Sequence, residues 1–292
     1  MGSRDPGGIS PRVRALALGA KIEIIPTRDF ARRLAVVPRG ATVTITCSPK
    51  FGVERTLAAA ELAAGDGYRV VPHLAARQVA DEVELKRLVG RLAGAGVRDL
   101  YVIGGDAPVP AGIFSSAAEL LDSLGGIEHD FTSIGVACYP EGHPHIAEPD
   151  LMRALLRKQP AADYMVNQIC FDVGALLGWL RAARAAGIGL PLHLGLAAPM
   201  QVRKLIELSL KIGVGSSLRF LTKQHGLLGQ ALRGASYQPE QLLLDIGAEL
   251  ASPELNIERL HLFSFNQVAA GVDWLRRTAG EAGPEGPIST AG

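Results

Sequence analysis

"KIEIIPTRDF", residues 21–30, decides between the two ways in which a chain of alternating strands and helices can fold. Its first five residues include three isoleucines and are stopped by Pro26, so they read as a strand. An open doubly wound sheet that binds a dinucleotide would follow that strand with Gly-x-Gly-x-x-Gly, and this stretch contains no glycine. Working outward, "ATVTITCS" (41–48), "YRVVPHL" (68–74), "VRDLYVIGG" (97–105), "TSIGVACY" (132–139), "ADYMVNQICF" (162–171), "LPLHLGL" (190–196) and "IERLHLFSF" (257–265) share its character, giving eight strands. Helical spacing fills 52–65, 81–96, 115–124, 148–159, 173–187, 199–213 and 239–252 between them. Strands apolar on both faces, alternating with helices, demand a parallel sheet with helical cover. Eight such units closing on themselves make a single α/β domain, a (β/α)8 TIM barrel, over 21–279. Residues 1–20 and 280–292, rich in Gly, Pro and Ser, read as tails.

The 292 residues suit such a barrel, which commonly takes about 250. Apolar residues make up 48% and charged ones 20%, enough apolar surface for a large core and too much for disorder. Thirty Lys+Arg against 29 Asp+Glu leave no positive field to attract nucleic acid or an anionic membrane. The partner expected is a small molecule or another copy of the chain, and no feature specifies an oligomeric state. Cys47, Cys138 and Cys170 form no CxxC pair, which argues against a disulfide framework and fits a reducing cytoplasm. "RVRALALGAK" is too short for a signal h-region, and no apolar run reaches membrane-spanning length. A cytoplasmic location is expected.

In such a barrel the chemistry lies at the carboxyl ends of the strands. Glu23, Thr46, His73, Asp106, Gln168 with Asp172, Asn266 and the stretch "CYPEGHPH" (138–145) would converge there. Glu23 stands between isoleucines. An unpaired carboxylate inside a barrel holds its proton near neutral pH, because desolvation disfavours the charged form, and can deliver it to a substrate nitrogen. Its other readings are an ion pair with Lys21 or a barrel arginine, or an outward-facing strand residue. "GGDAP" (104–108) lets a flat ring approach the backbone at Gly104 and Gly105, with Asp106 accepting hydrogen bonds from a heterocycle; read plainly it is a turn. No Gly-Lys-Ser/Thr follows, so it is not a P-loop. His143 and His145 flank Pro144 without a third ligand at short fixed spacing, and His73, His193 and His261 lie on other strands, so no metal site is expected.

Taken in order, "IEIIP" with Glu23, "TVTITCS" with Thr46, "PHLAAR" with His73, "GGDAP" with Asp106, "ACYPEGHP" with Tyr139 and His143, "NQICFD" with Gln168 and Phe171, and "LHLGLAAP" resemble the methylenetetrahydrofolate reductases. The likeness is to the small bacterial type that consists only of the catalytic barrel, and it runs from about residue 21 to 275. It implies reduction of 5,10-methylenetetrahydrofolate to 5-methyltetrahydrofolate. In that reading Glu23 is the acid that helps open the methylene bridge. Asp106 and Gln168 hold the pterin edge, Asp106 also stabilising developing positive charge, with Phe171 and Tyr139 beside the substrate. Thr46, His73, Gly104, Tyr139, His143 and Asp150 would contact the cofactor.

Departures from the pattern bear on that cofactor. Flavin-binding members usually carry Arg-Gly-Asp where this chain has Gly104-Gly105-Asp106, and Arg153 falls where a smaller polar flavin contact is usual. Tyr-Thr-Leu-Asn-Arg becomes "FSFNQ" (263–267), and Val202 stands in place of an aromatic. The chain thus resembles the flavin-free actinobacterial branch. The implied hydride donor is NADH or NADPH, acting directly on the folate, with FAD absent or weakly held. The alternatives are the same reaction through tightly bound FAD and a non-catalytic folate-binding barrel.

Overall fold

The computed structural model describes residues 9–211 and 235–281. Eight parallel strands close into a barrel: β1 (Lys21–Ile24), β2 (Thr42–Ile45), β3 (Arg69–Ala75), β4 (Asp99–Ile103), β5 (Ser133–Cys138), β6 (Tyr164–Asn167), β7 (Leu192–Ala197) and β8 (Ile257–Phe263). Each pairs with its neighbour in sequence, and β8 returns to β1, with Lys21 opposite His261 and Glu23 opposite Phe263. Ten helices stand among the described residues: α1 (Pro11–Leu18), α2 (Phe30–Leu34), α3 (Gly52–Gly65), α4 (Glu82–Gly94), α5 (Ala117–Leu124), α6 (Glu148–Lys158), α7 (Val173–Ala185), α8 (Val202–Lys211), α9 (Glu240–Ile246) and α10 (Val268–Ala279). Among the described residues no helix is long and apolar enough to cross a membrane.

Local chemistry fixes the element ends. Ser10 caps α1, accepting from Val13 N, with Pro11 pre-set at the first position. Asp81 caps α4, Ser116 and Glu119 form a reciprocal capping box on α5, and Asp172 caps α7. Asp172 is thus accounted for by its helix. Three helices escape the sequence reading, α1, α2 and α10. α2 has only five residues, and α1, within the stretch expected as a tail, buries Val13 and Leu16 against the last strand and helix. The remaining tail residues 1–8 and 282–292 lie outside the described residues, as do Lys223 and His225.

The main core lies between the strands' outer faces and the helices, where Leu57, Leu88, Leu120, Leu180 and Trp274 are fully buried. Each such side chain contributes about 1.5–3 kcal/mol by leaving water. The barrel interior differs. Register sets His73, Tyr101, Gly135 and Tyr164 in one row across β3 to β6. The rings of Tyr101 and Tyr164 lie nearly parallel with centroids 6.5 Å apart. Gly135 makes that possible, since a Cβ there would come 2.2 Å from Tyr164 Cζ. The Lys21 ammonium sits 3.9 Å from the centroid of the Tyr164 ring, and His193 stacks on that ring at 4.0 Å. Lys21, Tyr164 and His193 are all buried, so the interior beneath Glu23 is filled with side chains.

Candidate active site

Two groups of side chains occupy the carboxyl end of the barrel. The first surrounds Glu23, whose side chain points into the interior from β1. His261 on β8 places its Nε2 3.3 Å from Glu23 Oε2, and His73 on β3 places its own 3.7 Å away. All three are buried. Burial pushes the Glu23 carboxyl up to about 7, with His73 opposing. The same burial pushes His73 down to about 4 and His261 down to about 3, so both imidazoles are neutral at pH 7. A neutral ring on each side lets the carboxyl keep its proton by donating it to an Nε2. One ligand atom from each of Glu23, His73 and His261 lies within 4.8 Å of the others, so this set is also close enough to share a divalent cation. Lys21 faces Tyr164, and an ion pair between Lys21 and Glu23, open from the sequence, is not made.

The loop after β8 holds Glu23 in place. Ser264 Oγ donates to the Glu23 carbonyl, and Asn266 N donates to Ser264 Oγ at 3.1 Å. The Asn266 side chain accepts from Ile25 N at 2.9 Å and donates to Ile25 O at 3.3 Å, stitching β8 to the end of β1. Phe265 and Asn266 reach this geometry with positive φ, +45° and +63°, a region that costs a non-glycine residue about 1–3 kcal/mol.

The second group lines a cavity of about 1150 Å³ over the ends of β4 to β6. Gly104, Asp106, Tyr139, His143 and Gln168 face it, together with Arg77, Arg153, Arg157 and Lys158. Burial holds the Tyr139 phenol up at about 12, with Asp106 adding to the rise, so Tyr139 is a hydrogen-bond donor at neutral pH. His143 meets Tyr139 edge-on at 5.2 Å, and burial, helped by His145, lowers its pKa. Gln168 Oε1 already accepts from Ile169 N at 2.9 Å, which leaves the amide NH2 for a ligand. Lys158 is buried, donates to Ala137 O at 2.8 Å and is pushed down to about 8 by burial. A concave site of this size suits a ligand with a flat ring; of the cations on its wall, Arg153 pairs with Asp150, Arg157 with Asp122, and Arg77 and Lys158 donate to backbone carbonyls.

The structure therefore divides the residues singled out in the sequence. Glu23 and His73 meet in the interior. Thr46 lies at the end of β2, and its hydroxyl is buried without a hydrogen-bond partner. Asp150 is exposed at the start of α6 and pairs with Arg153 one turn on. Phe171 packs beside Ile169, Met200 and Val202, edge-on to Tyr237 at 5.5 Å. Sequence reading set His261 aside as a histidine on a separate strand and did not single out Tyr101. Tyr101 links the two groups: its ring lies 4.7 Å from His73, and its phenol, held well above the usual range by burial, also feels Tyr139 and Glu23. Alternation along "IERLHLF" and "DLYVI" marks both as inward-facing once the barrel is closed.

A family model described as methylenetetrahydrofolate reductase matches residues 27–213, well over half of the chain. Methylenetetrahydrofolate reductase 2 of Saccharomyces cerevisiae is 30% identical over 35% of this chain and 19% of its own length. Methylenetetrahydrofolate reductase 1 of Schizosaccharomyces pombe is 33% identical over 28% of this chain and 14% of its own. Each match thus spans less than a fifth of the relative. A solved oxaloacetate acetylhydrolase in complex with 3,3-difluorooxalacetate superposes with a TM-score of 0.51 over 97% of this chain and 90% of that one at 12% identity, a likeness of fold alone.

Proposed function

The chain belongs to the methylenetetrahydrofolate reductase family, and from that premise we propose that it reduces 5,10-methylenetetrahydrofolate to 5-methyltetrahydrofolate with a hydride taken directly from NADH or NADPH. The observation that carries the reading is Glu23, a buried carboxyl with a pKa of about 7, flanked by two neutral imidazoles at the carboxyl end of the barrel. A binding protein needs no such acid. In the proposed reaction the Glu23 proton passes to the nitrogen that leaves the methylene bridge. The resulting iminium carbon accepts the hydride and becomes the methyl group, while the nicotinamide ring is oxidised. Asp106 and the Gln168 amide hold the pterin edge, and the Asp106 carboxylate offsets the positive charge that develops as the bridge opens.

The cavity has the size for a nucleotide cofactor, about 1150 Å³, and Gly104, Tyr139 and His143 stand on its wall. Two features support hydride transfer without a flavin intermediary. Asp150, the cofactor contact that the family pattern suggests, is engaged by Arg153. Position 104 carries no side chain although an added Cβ would meet nothing within 4 Å, so packing does not forbid the arginine usual there. Direct transfer requires nicotinamide and pterin to stack with their reacting carbons about 3–3.5 Å apart.

The test is the absorbance spectrum of the purified protein followed by NADH and NADPH oxidation with and without methylenetetrahydrofolate. Folate-dependent oxidation by a colourless protein is the expected result. Stoichiometric bound flavin would overturn direct transfer and leave the reduction standing; no folate-dependent oxidation, with or without added FAD, would overturn both.

A further inference from the structure

The loop that carries Asp106 does not hold its shape alone. Residues 104–115 leave β4, run out over the end of β3 and return to α5, and they are laced along residues 77–80. Arg77 N donates to Gly104 O at 2.9 Å, Ala111 N donates to Arg77 O at 2.9 Å, and Ile113 N donates to Ala80 O at 2.9 Å. Gly105, with φ +89°, brings the backbone so close to β3 that a Cβ there would lie 2.9 Å from the Ala75 Cβ.

Within this lacing the Arg77 guanidinium reaches three carbonyls of the loop. Nε donates to Ala107 O at 2.6 Å, Nη2 to Pro108 O at 2.8 Å and Nη1 to Ser115 O at 3.2 Å. The first two follow Asp106 directly, and the third lies where the loop enters α5. No other side chain among the described residues is seen to bond both ends of the loop. A planar fork with donors in fixed directions can span three acceptors in this way, whereas an ammonium on a flexible stem cannot. We infer that Arg77 is the positioning residue of the site: it clamps the 104–115 loop so that the Asp106 carboxylate is held against the pterin. The assignment of Asp106 to the pterin rests on the reading given above; the clamp itself does not.

Hydrogen exchange and kinetics test it in Arg77→Ala and Arg77→Lys. Loss of the clamp speeds exchange at the Ala111 and Ile113 amides in both variants, while amides in α3 and α7 keep their protection. The kcat/KM for methylenetetrahydrofolate falls roughly 10- to 100-fold, the scale of a misplaced catalytic group. Because Arg77 acts through Asp106, adding Arg77→Ala to Asp106→Asn costs little beyond Asp106→Asn alone. Millimolar guanidinium restores Arg77→Ala activity, and ammonium does not. If Arg77→Ala fails to fold, Arg77→Lys carries the same comparisons. Unchanged exchange at Ala111 and Ile113 overturns the clamp, and fully additive losses with Asp106→Asn overturn its action through Asp106. A wild-type protein without folate-dependent turnover sinks the functional reading instead, and the exchange data still decide whether Arg77 clamps the loop.

Discussion

At the scale of single residues, the proposed chemistry turns on how a carboxyl keeps a proton at neutral pH. Glu23 does so because burial penalises its charged form and because both neighbouring imidazoles are themselves too buried to ionise. Glu23→Gln keeps the shape and removes the proton, so turnover should fall by roughly 10²–10⁴, the usual contribution of an acid catalyst, with the circular dichroism spectrum unchanged. Asp106→Asn should likewise cost rate more than folding, since Asp106 is exposed and faces the cavity; comparing kcat with the thermal midpoint checks this. The pH dependence of stability has a definite sign. The folded pKa of Glu23, about 7, exceeds its ordinary 4.5, so its contribution is complete below 4.5 and is lost as pH rises through 7. His73 and His261, depressed from 6.5 to about 4 and 3, contribute fully above 6.5 and lose it as pH falls through those values. Glu23→Gln should therefore gain in thermal midpoint over wild type at about pH 8, the gain shrinking as pH falls towards 4.5. Glu23 was legible in sequence as a carboxylate among isoleucines. That His73 and His261 flank it was not, because both are distant along the chain and become adjacent to it only when the sheet closes; the contact between Glu23 and His261 spans 238 positions.

At the scale of elements, all eight barrel strands were legible as β-branched runs, although their ends overshot by up to four residues, as at 162–171 against Tyr164–Asn167. Helix α2 was not, because five residues are too few for helical periodicity to declare itself; α1 was read with the Gly-, Pro- and Ser-rich tail, and α10 was not read. The interior row was hidden for another reason: which face of a strand points inward depends on register. Gly135 shows what register imposes. Gly135→Ala should drive a methyl into the Tyr164 ring and destabilise the barrel by about 1–3 kcal/mol or more, read by chemical denaturation. The double variant Gly135→Ala with Tyr164→Leu should recover part of that loss. The Asn266 stitch belongs to the same scale. Asn266→Ala leaves Ile25 N and O without their partner and should cost about 1–3 kcal/mol, while also loosening the backbone that aims Glu23.

The whole molecule is a ring, and the family pattern maps onto it as a set of strand ends brought to one rim. That pattern was legible because its motifs keep their order and spacing along the chain. Their division into an interior group and a cavity group was not, since both lie at strand ends and differ only in which way each side chain turns. Closure also links stability far from the rim to the fold as a whole: Leu16→Ala in α1 should lower stability by about 2–5 kcal/mol with little change in kcat at a temperature where the protein stays folded. Finally, Tyr164, Lys21 and His193, packed beneath Glu23, make the barrel a cup with a stopper at its base. On the proposed chemistry, no water reaches the spent acid from below, so it regains its hydrogen from the side where the folate sits. Methylated product must then step aside before the enzyme is armed again, and the order of departure and recharging is written into the floor of the cup.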